Sequence, residues 1–232
     1  MNILVIDVGG TNVKVMAPGQ TEPIRIPSGI GMTPALMVSE VKKAIGPTKY
    51  SAVSIGYPGP VINSKPILEP HNLAPGWVGF DYAKAFPCPV KIVNDAAMQA
   101  LGSYEGGRML FLGLGTGLGS ALIIDGVLAP LELAHLPYRK ERTFEDYAGL
   151  RGLERVGKQR WREITLDIVA RLKAALVVDY VVLGGGNAKY LKELPRDVRL
   201  GTNTNAFRGG VRLWERSNGK KPPSVESAPS RP

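Results

Sequence analysis

The sequence predicts an α/β fold built from two similar halves, and two stretches carry that prediction. Residues 3–16 are an apolar run, a turn at Gly9-Gly10 and a second apolar run, which is typical of two strands joined by a tight turn. Residues 109–124 repeat this pattern around Gly115-Thr116-Gly117. Strand-like and helix-like segments alternate after each hairpin, so each half is expected to hold one sheet with helices packed on it.

The first turn has the composition of a phosphate-binding hairpin. Gly9 and Gly10 let the backbone approach a ligand closely, and Asp7 stands in an otherwise apolar strand. The segment after the turn predicts a strand, whereas a P-loop or a dinucleotide-binding turn leads into a helix. We expect the N–H groups of the turn to face a phosphate and Asp7 to hold a cation beside it. An ordinary hairpin with a stray carboxylate is the alternative, disfavoured because an unpaired buried charge is costly.

The rest of the first half predicts two helices and three strands around a long loop. The strands are expected near 22–27, 51–57 and 89–93, and an amphipathic helix over 34–45 starts at Thr33-Pro34. A short helix is expected over 80–86, after a loop at 61–79 that contains Asn72 and Trp77. Long loops in compact domains are often functional, although simple packing explains these two residues equally well.

Asn94 and Asp95 follow a predicted strand and precede a helix over 96–104. Asp is a good helix N-cap, which is one explanation for Asp95. A second explanation is that Asp95 belongs to a binding site, because strand ends in α/β sheets also point side chains into the ligand crevice. The position of Asp95 in the sequence is compatible with both explanations.

The second half offers further candidates after its hairpin. The glycines at 113–119 do not match the dinucleotide-binding pattern but do repeat the opening hairpin. Glu132 and His135 are three residues apart, a spacing that places them on one face of a helical turn; a core histidine is the plainer explanation. Helices are predicted over 144–156 and 160–178, and a strand over 177–183 leads to three glycines and a helix through Lys192. A strand at 198–200, a helix over 205–215 and a disordered tail from residue 217 complete the chain.

Composition limits the classes of function. The single cysteine, Cys88, excludes an internal disulfide framework and fits a reducing cytoplasm, and one cysteine with two histidines argues against structural zinc. No apolar run has the length of a membrane span, and the first residues lack a signal-peptide pattern. The net charge is +9, and the surplus lies in the second half, densest between Arg139 and Arg162. This suggests an anionic partner, although no nucleic-acid-binding motif accompanies it.

In this order the motifs resemble the ROK family of sugar kinases on the actin-like ATPase (ribonuclease H-like) fold, and within it most closely the polyphosphate glucokinases. The resemblance spans residues 1 to about 216. It rests on six segments: 7–11, 56–61, 94–96, 113–120, 132–136 and 182–186. It implies an N-terminal α/β domain at 1–104, a C-terminal one at 105–216 and the tail at 217–232, with a cleft between the domains.

The resemblance also implies a role for each candidate. Asp95 would be the general base on the sugar 6-hydroxyl, and Asp7 the Mg²⁺ ligand. The other roles are grouped by ligand: Asn94, Glu132, His135 and Glu145 for the sugar; Gly9, Gly10, Thr11, Asn12, Gly115, Thr116 and Gly117 for phosphate; Gly184, Gly185 and Gly186 for the nucleotide.

The implied reaction moves a phosphoryl group from polyphosphate, ATP or both to the 6-hydroxyl of glucose, in a cytoplasmic homodimer without zinc, nucleic acid or membrane partners. Two positions depart from the family pattern, since Ala134 replaces a glycine and Gly149 a serine. The alternatives are an ATP-specific kinase for another hexose or amino sugar, and an inactive sugar-binding regulator.

Overall fold

The computed structural model describes residues 1–202 and 204–215, and the predicted tail lies outside them. The first half contains a five-stranded sheet and a small hairpin. Its strands are β1 (Ile3–Val8), β2 (Asn12–Met16), β3 (Ile24–Pro27), β4 (Ala52–Tyr57), β5 (Val61–Ile62), β6 (Lys65–Pro66) and β7 (Val90–Asn94). Its helices are α1 (Pro34–Ile45), α2 (Tyr82–Ala85) and α3 (Asp95–Ser103).

The second half contains another five-stranded sheet and a second small hairpin. Its strands are β8 (Arg108–Leu114), β9 (Leu118–Ile124), β10 (Val127–Leu131), β11 (Pro137–Arg139), β12 (Arg142–Thr143), β13 (Tyr180–Gly184) and β14 (Val198–Leu200). Its helices are α4 (Phe144–Ala148), α5 (Leu150–Leu176) and α6 (Asn205–Arg212), with 3-10 turns at Leu133–His135 and Ala188–Tyr190. No helix in the described part of the chain is long and apolar enough to cross a membrane.

The two sheets share one topology, which confirms the predicted repeat of the opening hairpin. Their strand orders are β3-β2-β1-β4-β7 and β10-β9-β8-β13-β14. In each sheet the first three strands are antiparallel and the last two are parallel to the central one. The phosphate-type turn therefore occupies the same place in both halves, between the central strand and its antiparallel neighbour.

Helix α3 joins the halves. It belongs to the first half in sequence, yet its alanines pack with Met109, Phe111 and Ile123 of the second sheet. Helix α6 returns from the second half to pack on α3 and β1. The helix backbones touch at glycines, since a Cβ on Gly209 would lie 1.8 Å from the Met98 carbonyl oxygen. The predicted boundary at residues 104 and 105 stays a proposal, and α6 lies against the first half.

Most predicted elements are confirmed, including the Thr33 cap, whose hydroxyl accepts a hydrogen bond from the Leu36 N–H. Four details of the second half are wrong. The predicted helix through Lys192 is only the 3-10 turn 188–190, and the strand predicted from 177 starts at Tyr180. Strands β10, β11 and β12 were not predicted. The helices predicted over 144–156 and 160–178 are instead the short α4 and the long, kinked α5, which begins at Leu150. Its kink is at Gly157 (φ 73°), and the break before it is at Gly149.

Candidate active site

The two glycine turns face one cleft between the halves. A cavity of about 520 Å³ is lined by Gly10 of the first turn, by Thr116 and Gly117 of the second, and by Glu145 and Arg151. Residues 70–73 of the long loop form the remaining wall together with Pro58. The structure thus brings together phosphate-type turns that lie more than 100 residues apart in the chain.

Each turn directs free backbone donors outward. In the first turn the carbonyl oxygens of Gly9 and Thr11 accept hydrogen bonds from Ser28. In the second, the carbonyl oxygens of Gly115 and Thr116 accept from Asn187 Nδ2 and the Leu150 N–H. Among the described residues, no hydrogen bond uses the N–H groups of Gly10, Thr11, Thr116 or Gly117. Because these N–H groups are free while four carbonyl oxygens of the turns are occupied, both turns suit an anion.

Asp7 lies at the end of the central strand, next to the first turn. It is 7% exposed, and it pairs across the hairpin with Lys14, whose Nζ lies 3.2 Å from Asp7 Oδ2. Lys14 was not predicted from the sequence as a residue of the site. The signal was present, because a tight turn at residues 9–12 sets position 14 opposite position 7.

Asp95 is the first residue of α3 and is not its cap. The cap is Asn94, whose Oδ1 accepts the Ala97 N–H, while Asp95 Oδ1 accepts the N–H of Ala96. The neighbouring Ala96 lies against the second hairpin, since a Cβ on Gly119 would be 2.8 Å from the Ala96 Cβ. Asp95 therefore stands where β1 and β9, the strands beside the two turns, come together.

The charge state of Asp95 differs from that of an ordinary aspartate. Its pKa is raised from 3.8 to about 7, chiefly by burial and next by the charge of Asp7, with a smaller contribution from Glu132; hydrogen bonds from the Ala96 N–H and from its own N–H act in the opposite direction. A carboxyl group with this pKa exchanges its proton near neutral pH, as a general base must.

The candidate sugar ligands fall into two groups. Glu132 and His135 are exposed on the 3-10 turn, and neither side chain bonds to another described residue. Ser120, which the sequence analysis missed, holds this turn in place. Its hydroxyl donates to the Leu131 carbonyl oxygen and accepts the N–H of Leu133.

The side chains of Asn94 and Glu145 already form hydrogen bonds within the protein. Asn94 caps α3 with its oxygen and donates from Nδ2 to the Gly59 carbonyl oxygen. Glu145 Oε2 accepts the Leu118 N–H, and its Oε1 lies 3.5 Å from Arg151 Nη2. Glu145 therefore supports the second turn, and its Oε1 edge faces the cleft with Arg151.

The three-glycine loop lies directly behind the second turn. Gly185 (φ 82°) packs on the backbone of Leu114, where a Cβ would be 2.4 Å from the carbonyl oxygen. The Asn187 N–H donates to that same oxygen, and its side chain binds Gly115. The loop is close enough to the turn for a single extended phosphate ligand to contact both.

The residues around Asp7 are compatible with Mg²⁺. The available ligands there are carboxylate oxygens, which magnesium prefers, and magnesium sites commonly use one or two carboxylates with phosphate oxygens and water. The described residues contain no group of three or more His, Cys, Asp or Glu arranged to hold a metal.

Comparison with known proteins gives concordant results. The polyphosphate glucokinase of Mycobacterium leprae (strain TN) is 25% identical over 201 residues, which are 79% of this chain and 59% of that relative. The chain thus spans less than two thirds of that relative's length. The N-acetylmannosamine kinase of Shigella flexneri is 28% identical over 144 residues, 55% of this chain and 49% of the relative.

Solved structures show the same fold. The inorganic polyphosphate/ATP-glucomannokinase from Arthrobacter sp. strain KM superposes with a TM-score of 0.75 at 24% identity, over 91% of this chain and 97% of its own. A ROK family glucokinase from Streptomyces griseus, in complex with glucose and AMPPNP, gives 0.72 at 16% identity, over 92% and 99%. The predicted actin-like ATPase fold is confirmed.

The model of the ROK family matches residues 3–130, which is more than half of the chain. This match includes the first and second turns, which line the cleft, and Asp95, the residue before Ala96 at the second hairpin. The chain belongs to the ROK family.

Proposed function

We propose that this chain is a sugar kinase that transfers a phosphoryl group from polyphosphate, ATP or both to the 6-hydroxyl of glucose. The observation that carries the proposal is Asp95, a carboxyl group with a pKa of about 7 at the meeting point of two phosphate-type hairpins. The family and the relatives named above support the same reaction class.

Asp95 is the general base in this proposal. It accepts the proton of the sugar 6-hydroxyl as that oxygen bonds to the terminal phosphorus of the donor. The bond from this phosphorus to the bridging oxygen breaks, and the leaving group is ADP or a polyphosphate shorter by one unit. Phosphoryl transfer requires positioning and charge stabilisation more than covalent help, so few protein groups are needed.

The sugar is held by Glu132 and His135, whose side chains are exposed and free to bind hydroxyl groups. Asn94 and Glu145 have remaining hydrogen-bonding capacity, the second amide hydrogen of Asn94 and the Oε1 of Glu145. We propose that these two mainly fix the shape of the site and contact the sugar at its edge.

The free N–H groups of the two turns bind the donor phosphates. Because they are fixed before the donor arrives, they stabilise the transferred charge without reorganisation. Asp7 would hold Mg²⁺, which neutralises phosphate charge when bound, and Lys14 adds a positive charge at the same place.

The departure at Gly149 does not argue against activity. A Cβ at this position would lie 2.8 Å from the Thr116 carbonyl oxygen and 2.9 Å from that of Glu145. Glycine thus allows the start of α5 to approach the second turn closely. This close packing supports a second turn that is adapted to the start of α5, rather than one that has lost its function.

The test is a sugar phosphate assay with glucose, mannose and N-acetylmannosamine, each with ATP and with long-chain polyphosphate separately. We expect glucose 6-phosphate with at least one donor. The amino sugar is included because of the N-acetylmannosamine kinase relative, and its exclusive use would replace glucose as the acceptor. No product from any pair would favour the sugar-binding regulator.

A further inference from the structure

The basic side chains along α5 differ in whether they have an acidic partner. Four of them are paired within the described residues, Arg151 with Glu145 and Asp146, Arg160 with Glu163, Arg171 with Asp167, and Lys173 with Asp197. Within the same described part of the chain, no carboxylate forms an ion pair with Arg155, Lys158, Arg162 or Lys189. Paired and unpaired cations are interleaved along the sequence, with Arg160 between Lys158 and Arg162, so they differ in their contacts and not in their position along the chain.

Three of the unpaired cations surround one tyrosine. The Nζ atoms of Lys158 and Lys189 lie 4.7 and 5.1 Å from the centre of the Tyr190 ring. Arg162 Nε donates to the Tyr190 carbonyl oxygen at 2.5 Å. We call Lys158, Arg162, Lys189 and Tyr190 the Tyr190 patch. Cation–π contacts stabilise each lysine by only about 0.5–1 kcal/mol at an exposed site, so the like charges are incompletely compensated.

The Tyr190 patch is connected to the cleft by both elements that carry it. The Leu150 N–H, at the start of α5, donates to the Thr116 carbonyl oxygen of the second turn. Asn187, just before the 3-10 turn with Lys189, binds Gly115 of the same turn. Both elements that carry the patch are therefore hydrogen-bonded to the second turn, α5 through Leu150 and the 3-10 turn through Asn187.

Arg151 and Arg155 occupy the interval between cleft and patch. Arg151 lines the cleft, and Arg155 follows one helical turn later, stacked 4.9 Å from the centre of the Tyr147 ring. At the cleft end the charge is partly neutralised, since Arg151 lies near Glu145 and Asp146. The uncompensated positive charge thus increases away from the reacting centre.

We propose that the Tyr190 patch binds the internal units of a long inorganic polyphosphate whose terminal phosphate reacts in the cleft. This inference rests on the proposed function, because it requires the end of the polyphosphate chain to react in the cleft. A nucleotide carries its charge in three adjacent phosphates and offers no anionic units beyond them. A long polyphosphate continues past the turns with one charge per unit, which matches a row of unpaired cations.

The patch is poorly suited to a single-stranded nucleic acid. Such ligands stack their bases on open aromatic rings. The Tyr190 ring already has two ammonium groups over it, and Tyr147 has the Arg155 guanidinium. Repeated anionic charge without bases is the better chemical match.

The test compares two triple variants with the same loss of charge. The patch variant is Arg155→Gln, Lys158→Gln and Lys189→Gln, which removes both lysines of the patch and the unpaired Arg155 that precedes it; all three residues are exposed. Arg162 is kept because it is half-buried and bound to the Tyr190 carbonyl oxygen. The control variant is Arg160→Gln, Arg171→Gln and Lys173→Gln, three paired cations that do not line the cleft. Thermal unfolding verifies that both fold. Binding of long-chain polyphosphate, tripolyphosphate and an oligonucleotide is measured without sugar between 50 and 300 mM salt.

By analogy with nucleic acids, losing three contacts lowers the slope of log affinity against log salt by about 2. We expect this change, with at least about tenfold weaker binding at low salt, for long-chain polyphosphate and the patch variant only. Tripolyphosphate, which reaches only the turns, should bind all three proteins equally. Equal binding of long chains by the patch and control variants would overturn the proposal, and so would a patch that prefers the oligonucleotide.

Binding and catalysis separate the two proposals. If ATP supports glucose phosphorylation but both variants bind long chains alike, the kinase proposal stands and the patch proposal fails. If no donor supports phosphorylation but the patch variant alone loses long-chain binding, the patch proposal stands and the kinase proposal fails.

Discussion

Replacing Asp95 by asparagine should lower activity and raise stability at the same time. The substitution keeps the shape of the side chain and an oxygen that can accept the Ala96 N–H, so the start of α3 is preserved. It removes the group that accepts the sugar proton. A positioned general base contributes about 10²–10⁴-fold, and we expect kcat to fall by that factor while sugar binding persists.

The stability change follows from the raised pKa. Folding raises the pKa of Asp95 from 3.8 to about 7, so the folded protein holds the proton more tightly than the unfolded chain. Stability therefore decreases as pH rises from about 4 to about 7, and the full cost applies above pH 7. A shift of about 3 pKa units corresponds to about 4 kcal/mol as an upper limit. Asparagine does not ionise, so the variant does not lose this stability as the pH rises.

Denaturant unfolding of wild type and Asp95→Asn from pH 5 to pH 8 measures this effect. The stability advantage of the variant should grow by about 2–3 kcal/mol over that range. Wild-type kcat/KM should rise with pH toward a plateau, with a midpoint near the Asp95 pKa of about 7. Asp81→Asn is the matched control, since Asp81 caps the exposed start of α2. A variant that keeps more than a tenth of wild-type kcat, or that is less stable at pH 8, would refute the reasoning.

Three further changes separate the parts of the site. Asp7→Ala should lose activity and shift the Mg²⁺ dependence to higher concentration; a normal rate with unchanged Mg²⁺ dependence would remove Asp7 from the metal site. His135→Ala should raise KM for the sugar about tenfold, the value of one lost hydrogen bond, with KM for the donor unchanged; a lower melting temperature with normal sugar KM would make His135 structural. Gly117→Ala places a Cβ 2.3 Å from Glu145 Oε2 and should raise KM for the donor, whereas Gly31→Ala, with open space around it, should not.

The fold could be predicted from the sequence because its main features are local. Both hairpins combine an apolar run with a glycine turn, and α1 has a cap, a proline and a clear helical period within 13 residues. The strand order could not be derived in this way, since it depends on which strands pair across long separations. The family resemblance predicted the fold class, and the structure supplied the strand order.

The failures occur where distant contacts decide the local structure. The segment after Gly186 was predicted as a helix, but the Asn187 N–H is bound to Leu114, and the chain turns toward β14 after one 3-10 turn. The hydrogen bond from the Leu118 N–H to Glu145 was likewise not predicted, because only the packed structure brings these residues, 27 positions apart, together; sugar binding by Glu145 stays a prediction. The use of Lys158 and Lys189 around Tyr190 has no local pattern at all, because 31 positions separate the two lysines.

The helix that contains Asp95 and the rest of the fold have opposite effects on its pKa. At the first position of a helix, the helix dipole and the nearby N–H groups favour the ionised carboxylate. An isolated α3 would therefore lower the pKa of Asp95. In the protein the pKa rises, because burial and the charges of Asp7 and Glu132, one from each half, outweigh those hydrogen bonds. The proton affinity of Asp95 is thus set by the assembly of both halves around α3, so any movement that separates them should lower its pKa and weaken it as a base.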